Sequence, residues 1–214
     1  MSQPVVLYPS YFGPVIHYVV MTGASTILFE VDDNFQKQTY RNRCYVYGAN
    51  GSLMLNVPLS HKNHSRKTRD MRIDYSTDWR KLHLKSLQAA YRASPYFEYY
   101  EDEIDTIFQQ RYDYLLDLNL YILDRMFQLL NMDIPYTKSD AYHKHYTGFI
   151  DLRSLVNAKT GKVYGLQPYI QVFSSKMSFI ENLSILDLLF MEGPQAILYL
   201  KNQSKTIDLA PSQS

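Results

Sequence analysis

The sequence predicts a single α/β domain, with a mixed sheet that includes a β-hairpin and with helices in the middle and C-terminal parts. Three observations support this class. Two β-rich runs near the start flank a helical stretch, an Asn-Gly pair separates two further apolar runs, and long stretches with helical periodicity follow. The 214 residues are enough to bury a core without disulfides or metal. We predict a domain over residues 1–205 and a frayed tail at 206–214.

The pattern of the N-terminal residues predicts a parallel crossover unit. Residues 5–8 are β-rich, and residues 11–21 are predicted to be helical with Pro14 in the first turn, where a missing N–H group costs little. Residues 26–31 form the second predicted strand. A strand, a helix and a strand in this order favour two parallel neighbours joined by a crossover helix.

A hairpin is predicted next, followed by a basic loop. Strand-like runs at 44–47 and 53–57 enclose Asn50-Gly51, a pair that favours positive φ and therefore a tight turn. Residues 61–72 are polar and basic, which is typical of a solvated loop, or of a lid over an anionic ligand. Residues 71–75 are predicted to form a short strand.

In the remaining sequence we predict helices before and after an irregular stretch. Asp78 is a candidate N-cap for a helix that runs to about residue 93. Residues 101–132 show one helical stripe that ends before Pro135, and residues 184–192 predict another helix. The stretch 134–173 is tyrosine-rich and predicted to be irregular, and residues 195–201 fit either a helix turn or a strand.

Composition and charge exclude several classes of function. The net charge of +1 gives little long-range attraction for nucleic acid or an anionic membrane surface. The single cysteine, Cys44, permits no internal disulfide and no cysteine-based metal site within one chain. No targeting or membrane-spanning segment is recognisable, which predicts a cytoplasmic protein. The 20 tyrosines suit either the rim of a core or a polar ligand cleft.

The segment that contains Lys37, Arg41, Asn42 and Arg43 is the first candidate binding site. It follows a predicted strand and precedes the hairpin, so the sheet fixes the position of the loop. Lysine and arginine donors within seven residues can bind phosphate or carboxylate, and Asn42 can orient a ligand. A solvated basic turn is the structural alternative.

Other candidates lie on predicted helices and strand ends. His83 lies on the apolar face of its helix, either as a satisfied core histidine or as a proton shuttle, and we predict a catalytic role for it together with Asp187. Asp32 and Asp33 end a strand, where ligands of open α/β sheets bind. Asp32 is therefore a candidate ligand for a metal ion or a sugar hydroxyl, or it caps the following turn.

A series of short motifs runs in order through nearly the whole chain. They are Pro9-x-Tyr11, Asp32-Asp33, Lys37 with Arg41-Asn42-Arg43, Asn50-Gly51, Val57-Pro58, Asp78-Trp79-Arg80 with His83 and Leu87, Ala90-Tyr91, Pro95-Tyr96-Phe97, Leu115-x-Asp117-x-Asn119, Tyr169-x-Gln171, Asn182-Leu183-Ser184-Ile185-Leu186-Asp187-Leu188-Leu189-Phe190 and Glu192-Gly193-Pro194. Through these motifs the chain resembles the WbqC-like family, in the variant common in Bacteroidetes-type bacteria.

One departure from the family pattern concerns the first strand end. Many members have His-Gln-Pro-x-Tyr-Leu-Pro after the first strand, whereas this chain has Leu7-Tyr8-Pro9-Ser10-Tyr11. No residue of this chain matches that histidine, so a role that depends on it is not carried over from the family. Of the tyrosines in the pattern, Tyr11 and Tyr91 are expected to contact the ligand.

The resemblance implies a link to surface-polysaccharide genes, such as those for O-antigen or capsule. A group transferase acting on a nucleotide-sugar or a similar anionic metabolite suits that setting, with no particular cofactor implied. The alternative is a non-catalytic binding or assembly module of the polysaccharide machinery, and a homo-oligomer fits either hypothesis. A nucleic-acid partner is disfavoured by the charge.

Overall fold

The computed structural model describes residues 3–60, 65–159 and 162–207. Its strands are β1 (Val5–Leu7), β2 (Ile27–Phe29), β3 (Arg43–Gly48), β4 (Gly51–Asn56), β5 (Tyr136–Lys138) and β6 (Ile150–Asp151). Its helices are α1 (Val15–Gly23), α2 (Trp79–Tyr91), α3 (Phe97–Gln109), α4 (Leu115–Leu129), α5 (Ile185–Glu192) and α6 (Ala196–Thr206).

Four short strands form a parallel sheet in the order β5-β2-β1-β6. Strands β1 and β2 pair in parallel, and helix α1 connects them, which confirms the predicted crossover unit. Strand β6 joins the opposite edge of β1. The chain therefore runs from β1 through β2 to β5 in one direction and then crosses back to β6 on the other side of β1. The gap between β1 and β6 is a topological switch point, where open α/β sheets bind ligands.

The hairpin forms a second, separate sheet. Strands β3 and β4 pair antiparallel from Arg43↔Asn56 to Gly48↔Gly51, with Ala49-Asn50 as the two-residue turn. Gly51 adopts φ +105, so the positive φ that the Asn-Gly pair favours occurs at the residue after the turn. Cys44, Val46 and Leu55 point into the core. The predicted hairpin is confirmed.

One hydrophobic core runs through the described residues and includes side chains from α1 to α6, from β1 to β4 and from the 3-10 turn at Arg153–Val156. The α/β class and the single domain are confirmed. Within the described ranges, no helix has both the length and the apolar character needed to cross a bilayer. Of the predicted tail at 206–214, Thr206 ends helix α6, and residues 208–214 lie outside the described residues, as does the part of the basic loop at 61–64.

The start of α1 differs from the prediction. The helix begins at Val15 rather than at residue 11, and Pro14 is its N-cap in an extended conformation with φ −67 and ψ 157. Phe12 has φ 39, a left-handed value that does not continue a helix, and the amide of Tyr11 donates to the carbonyl of Tyr40. The tertiary contact thus keeps the preceding residues in a loop.

The prediction of one helix over 101–132 is wrong, because the chain forms α3 and α4 with an extended break between them. In the break, the Asp113 carbonyl accepts from the Ile73 amide, and the Leu115 amide donates to the Met71 carbonyl. These bonds use backbone groups that a continuous helix would need. The strand predicted at 71–75 is likewise replaced by isolated bridges of Ile73 with Leu59 and of Arg72 with Tyr114.

The C-terminal half contains more regular structure than predicted. Strands β5 and β6 lie inside the stretch 134–173, and with three and two residues they are too short for periodicity to reveal. The predicted cap Asp78 accepts from the Lys81 amide at 3.4 Å, and Ser184 caps α5. Of the ambiguous residues 195–201, Gln195 ends a 3-10 turn and residues 196–201 belong to helix α6.

Candidate functional site

The carboxyl ends of β1 and β2 border a polar crevice of about 240 Å³. We call it the carboxyl-edge crevice. It lies where parallel strands end and loops take over, so the rigid sheet positions its side chains. Its lining residues come from four segments of the chain and are Tyr8, Asp32, Asp33, Asn34, Gln36, Lys67 and Tyr142.

Behind the crevice lies a buried ion pair. Arg41 Nη2 donates to Asp33 Oδ2 at 2.6 Å, with the two side chains 0% and 4% exposed. Thr68 Oγ1 donates to the other Asp33 oxygen at 2.6 Å, and the guanidinium of Arg41 lies 3.9 Å from the centre of the Tyr8 ring. Within the described part of the chain, the Nε and Nη1 groups of Arg41 donate no hydrogen bond. The guanidinium therefore has unused donors beside the crevice wall.

The neighbouring Asp32 is paired at the surface. Lys67 Nζ donates to Asp32 Oδ2 at 2.8 Å, and Arg69 Nη1 lies 2.9 Å from Oδ1, with side chains 39% and 51% exposed. The hydrogen bond from Lys67 lowers the pKa of Asp32. Burial instead raises the pKa of Asp33, against the opposing effect of Arg41. Two adjacent carboxyl groups thus differ in their proton affinity.

A third acidic residue, Glu30, is fully buried next to this crevice. Its carboxylate accepts from the Asp32 amide at 2.7 Å, from Ser139 Oγ at 2.8 Å and from the Tyr146 hydroxyl at 2.5 Å. Arg153 Nη1 lies 3.9 Å from the same carboxylate. These contacts connect the end of β2 to the segments after β5 and β6.

Sequence reasoning missed Tyr8, Glu30 and Arg153 at this edge, and it included Lys67 only within the basic stretch 61–72, predicted as a solvated loop or a lid. Tyr8 and Glu30 lay inside predicted strands, and Lys67 lay in the basic loop. The usable signal was position, because each of the first two residues follows the last paired residue of a parallel strand. Arg153 follows β6, which the sequence did not reveal.

The predicted anion site separates into different environments. Lys37 is exposed, and Asn42 Nδ2 donates to Asn56 Oδ1 at 3.1 Å and to the Val57 carbonyl at 3.0 Å. Arg43 directs Nη1 toward Met54 Sδ at 3.6 Å, on the hairpin. Of this group, Arg41 is the residue that contacts the walls of the carboxyl-edge crevice.

His83 is buried in α2, beside a different cleft. Its Nδ1 lies 2.8 Å from the hydroxyl of the buried Tyr11, and its ring packs 5.2 Å from that of Trp79. This cleft lies between α2 and β4 and measures about 520 Å³. Burial lowers the pKa of His83 to about 4. Its predicted catalytic role stays a prediction.

We expect acid to destabilise the protein through His83. Below pH 6.5 the unfolded chain takes up a proton that native His83 does not, so the free energy of unfolding falls until about pH 4. Urea unfolding at pH 7 and pH 4.5 should show a loss about 2–3 kcal/mol smaller in His83→Gln than in the wild type.

The matched control is His145→Gln, because His145 is exposed. This variant should lose as much stability as the wild type between the two pH values. Equal losses in His83→Gln and the wild type would show that the imidazole of His83 is accessible to protons in the native state.

Asp187 is fully buried in the first turn of α5. Its Oδ1 accepts from the Tyr91 hydroxyl at 2.7 Å, and its Oδ2 accepts from the Tyr169 hydroxyl at 2.6 Å and from Gln171 Nε2 at 2.9 Å. The Tyr91 hydroxyl in turn accepts from the Tyr47 amide at 2.9 Å. Asp187 thus ties α5 to α2, to β3 and to the loop around residue 170.

No metal site is apparent among the residues that the structure describes, since no three His, Cys, Asp or Glu side chains gather at a spacing that suits one ion. Both carboxylate oxygens of Asp32, the predicted metal ligand, contact basic side chains.

Comparison with known proteins gives one result. The sequence model described as the WbqC-like protein family matches residues 9–164, well over half of the chain. No curated protein and no solved structure matches. The matched range contains Asp32, Asp33, Arg41 and Lys67 of the crevice, whereas the resemblance after residue 164 stays a prediction. The chain belongs to the WbqC-like protein family.

Proposed function

We propose that this protein is a cytoplasmic enzyme of the group-transferase type, which acts on a nucleotide-sugar or a similar anionic metabolite in surface-polysaccharide biosynthesis. The observation that carries the proposal is the carboxyl-edge crevice, which combines acceptors and cations at the end of a parallel sheet. Ligands of open α/β folds bind outside the carboxyl ends of the parallel strands.

The chemistry of the crevice suits a sugar attached to an anionic group. The carboxylates of Asp32 and Asp33 accept hydrogen bonds from hydroxyl groups, and Tyr8 offers an aromatic ring. Lys67 and Arg69 have partly exposed side chains from which they can bind a phosphate. Sites for drug-sized ligands measure about 300–1,000 Å³. A crevice of about 240 Å³ therefore suits one sugar ring, with the nucleotide outside it.

Arg41 has a supporting role in this proposal. Its charge is neutralised on one side by Asp33, and its free Nε and Nη1 donors favour a crevice occupied by acceptor oxygens. We predicted proton transfer for His83 and a catalytic role for Asp187. Neither residue lines the carboxyl-edge crevice.

The first test is a thermal-shift screen with nucleotide-sugars. A ligand at about 100 times its Kd should add roughly 2.7 kcal/mol to the free energy of unfolding. Lys67→Ala should weaken the binding of a responding ligand by about tenfold or more, because it removes a charged donor. Lys201→Ala is the matched control, since Lys201 is exposed on α6 and should leave binding unchanged.

Two further measurements separate the hypotheses. Lys37→Ala tests the anion site predicted in the loop, because Lys37 does not line the crevice.

Incubation with the responding ligand and candidate acceptors, followed by mass spectrometry, distinguishes turnover from binding. If no nucleotide-sugar shifts the transition, the enzyme proposal loses its basis. The alternative is then a non-catalytic assembly module, which the exposed apolar side chains beside β4 favour.

A further inference from the structure

The outer edge of β4 has hydrogen-bonding groups without partners. Tyr45 and Tyr47 of β3 direct backbone groups away from β4, since the Tyr45 carbonyl accepts from Ser184 and the Tyr47 amide donates to Tyr91. In an antiparallel pair, the residues opposite such positions also direct their backbone N–H and C=O groups away from the partner strand. These residues are Ser52 and Met54. Among the described residues, nothing hydrogen-bonds to their backbone amides or carbonyls.

An apolar groove accompanies this edge. It is the cleft of about 520 Å³ between β4 and α2, and Leu53, Leu55, Trp79 and Leu82 contribute to its lining. Leu53 is 39% exposed and Leu82 63% exposed, and Met54 on the other face of the strand is 46% exposed. An unpaired edge next to exposed apolar side chains is the arrangement to which an additional strand binds.

We propose that this edge pairs with the same edge of a second copy of the chain, so that two hairpins form one four-stranded antiparallel sheet across a two-fold axis. The free groups select the register. With Leu53 opposite Leu53 of the second copy, Ser52 faces Met54 on both sides of the axis. Each of these two pairs can exchange two backbone hydrogen bonds, which gives four in total.

A second copy is favoured over another partner by the composition of the strand. Edge strands that must stay unpaired usually contain charged side chains, proline or bulges. Strand β4, Gly51–Asn56, contains no charged residue and no proline, and its pairing with β3 is continuous. A two-fold axis therefore brings no like charges of the strand together, and it adds the Leu53 of each copy to the groove of the other.

The size of the surface limits the affinity. Specific interfaces of standard size use about 20–30 residues on each side, more than the strand and groove provide. We therefore expect a weak dimer with a Kd on the order of 10 µM.

The register is tested by disulfide trapping. Leu53→Cys places two thiols at a non-hydrogen-bonded pair with Cα atoms about 4.5 Å apart, which a disulfide can bridge. Ser52→Cys is the control, since the two Ser52 Cα atoms would be about 8 Å apart in this register, beyond disulfide reach. The native Cys44 is buried and does not compete. After air oxidation, covalent dimer should dominate for Leu53→Cys and stay minor for Ser52→Cys.

Sedimentation velocity across a concentration series tests the dimer without cysteines. Met54→Lys should shift the protein to monomer, whereas Leu198→Lys, at an exposed leucine of α6, should dimerise as the wild type does. Circular dichroism melting verifies that the variants fold. A wild type that stays monomeric at roughly ten times the expected Kd, or equal cross-linking at positions 52 and 53, would overturn the proposal. Monomer would indicate that the edge serves a different partner.

Discussion

Asp33→Ala is expected to lower the free energy of unfolding by about 3–5 kcal/mol, because it leaves the buried guanidinium of Arg41 without its anion. The Thr68 hydroxyl loses its acceptor at the same time. For a domain of this size, each kcal/mol shifts the melting temperature by about 2–4 °C, so a decrease of roughly 6–20 °C is expected. Urea unfolding monitored by circular dichroism measures the effect.

Asp32→Ala is the matched control, one residue away. Its partners Lys67 and Arg69 are partly exposed, and ion pairs in that setting contribute about 0–1 kcal/mol. The double variant Asp33→Ala with Arg41→Ala should be more stable than Asp33→Ala alone, since it removes the unpaired charge. If Asp32→Ala and Asp33→Ala lower the free energy of unfolding equally, the buried charge of Arg41 does not depend on Asp33 in the folded protein.

Asp187→Ala is expected to lower the free energy of unfolding by about 3 kcal/mol or more. The change leaves the hydroxyls of Tyr91 and Tyr169 as buried donors without an acceptor, and it removes one acceptor of Gln171 Nε2, which keeps the Ile180 carbonyl at 2.9 Å. Each unsatisfied buried group costs about 1–3 kcal/mol, and the missing carboxylate leaves space that water fills poorly. Denaturant unfolding of the variant at neutral pH gives the number directly.

Asp124→Ala provides a control with the same chemistry at the surface. Asp124 is exposed and accepts from the Tyr136 hydroxyl at 2.7 Å, so its loss should cost well under 1 kcal/mol, because water replaces the carboxylate. Asp187→Asn should fall between the two, since it keeps an acceptor oxygen and the shape of the side chain. A cost for Asp187→Ala no larger than that of Asp124→Ala would contradict the buried network.

The candidate site was predictable only in part. Asp32, Asp33 and Arg41 stood out in the sequence, the first two because they follow a strand and the third because it lies in a basic segment. The sequence grouped Arg41 with Lys37 and Arg43, whereas in the fold its guanidinium pairs with Asp33 and the others point elsewhere. Spacing along a loop does not determine where long side chains end, because each follows the partner that the fold supplies.

The sequence by itself determined the family, the α/β class, the crossover unit, the hairpin and the cap at Asp78. These features depend on patterns within a few residues, such as Asn50-Gly51 or a cap before an apolar run. Only the tertiary structure decided the two-part helical region, the outer strands β5 and β6 and the buried networks. Glu30 meets Tyr146 across 116 residues and Asp187 meets Tyr91 across 96, and local propensity carries no information about such distant partners.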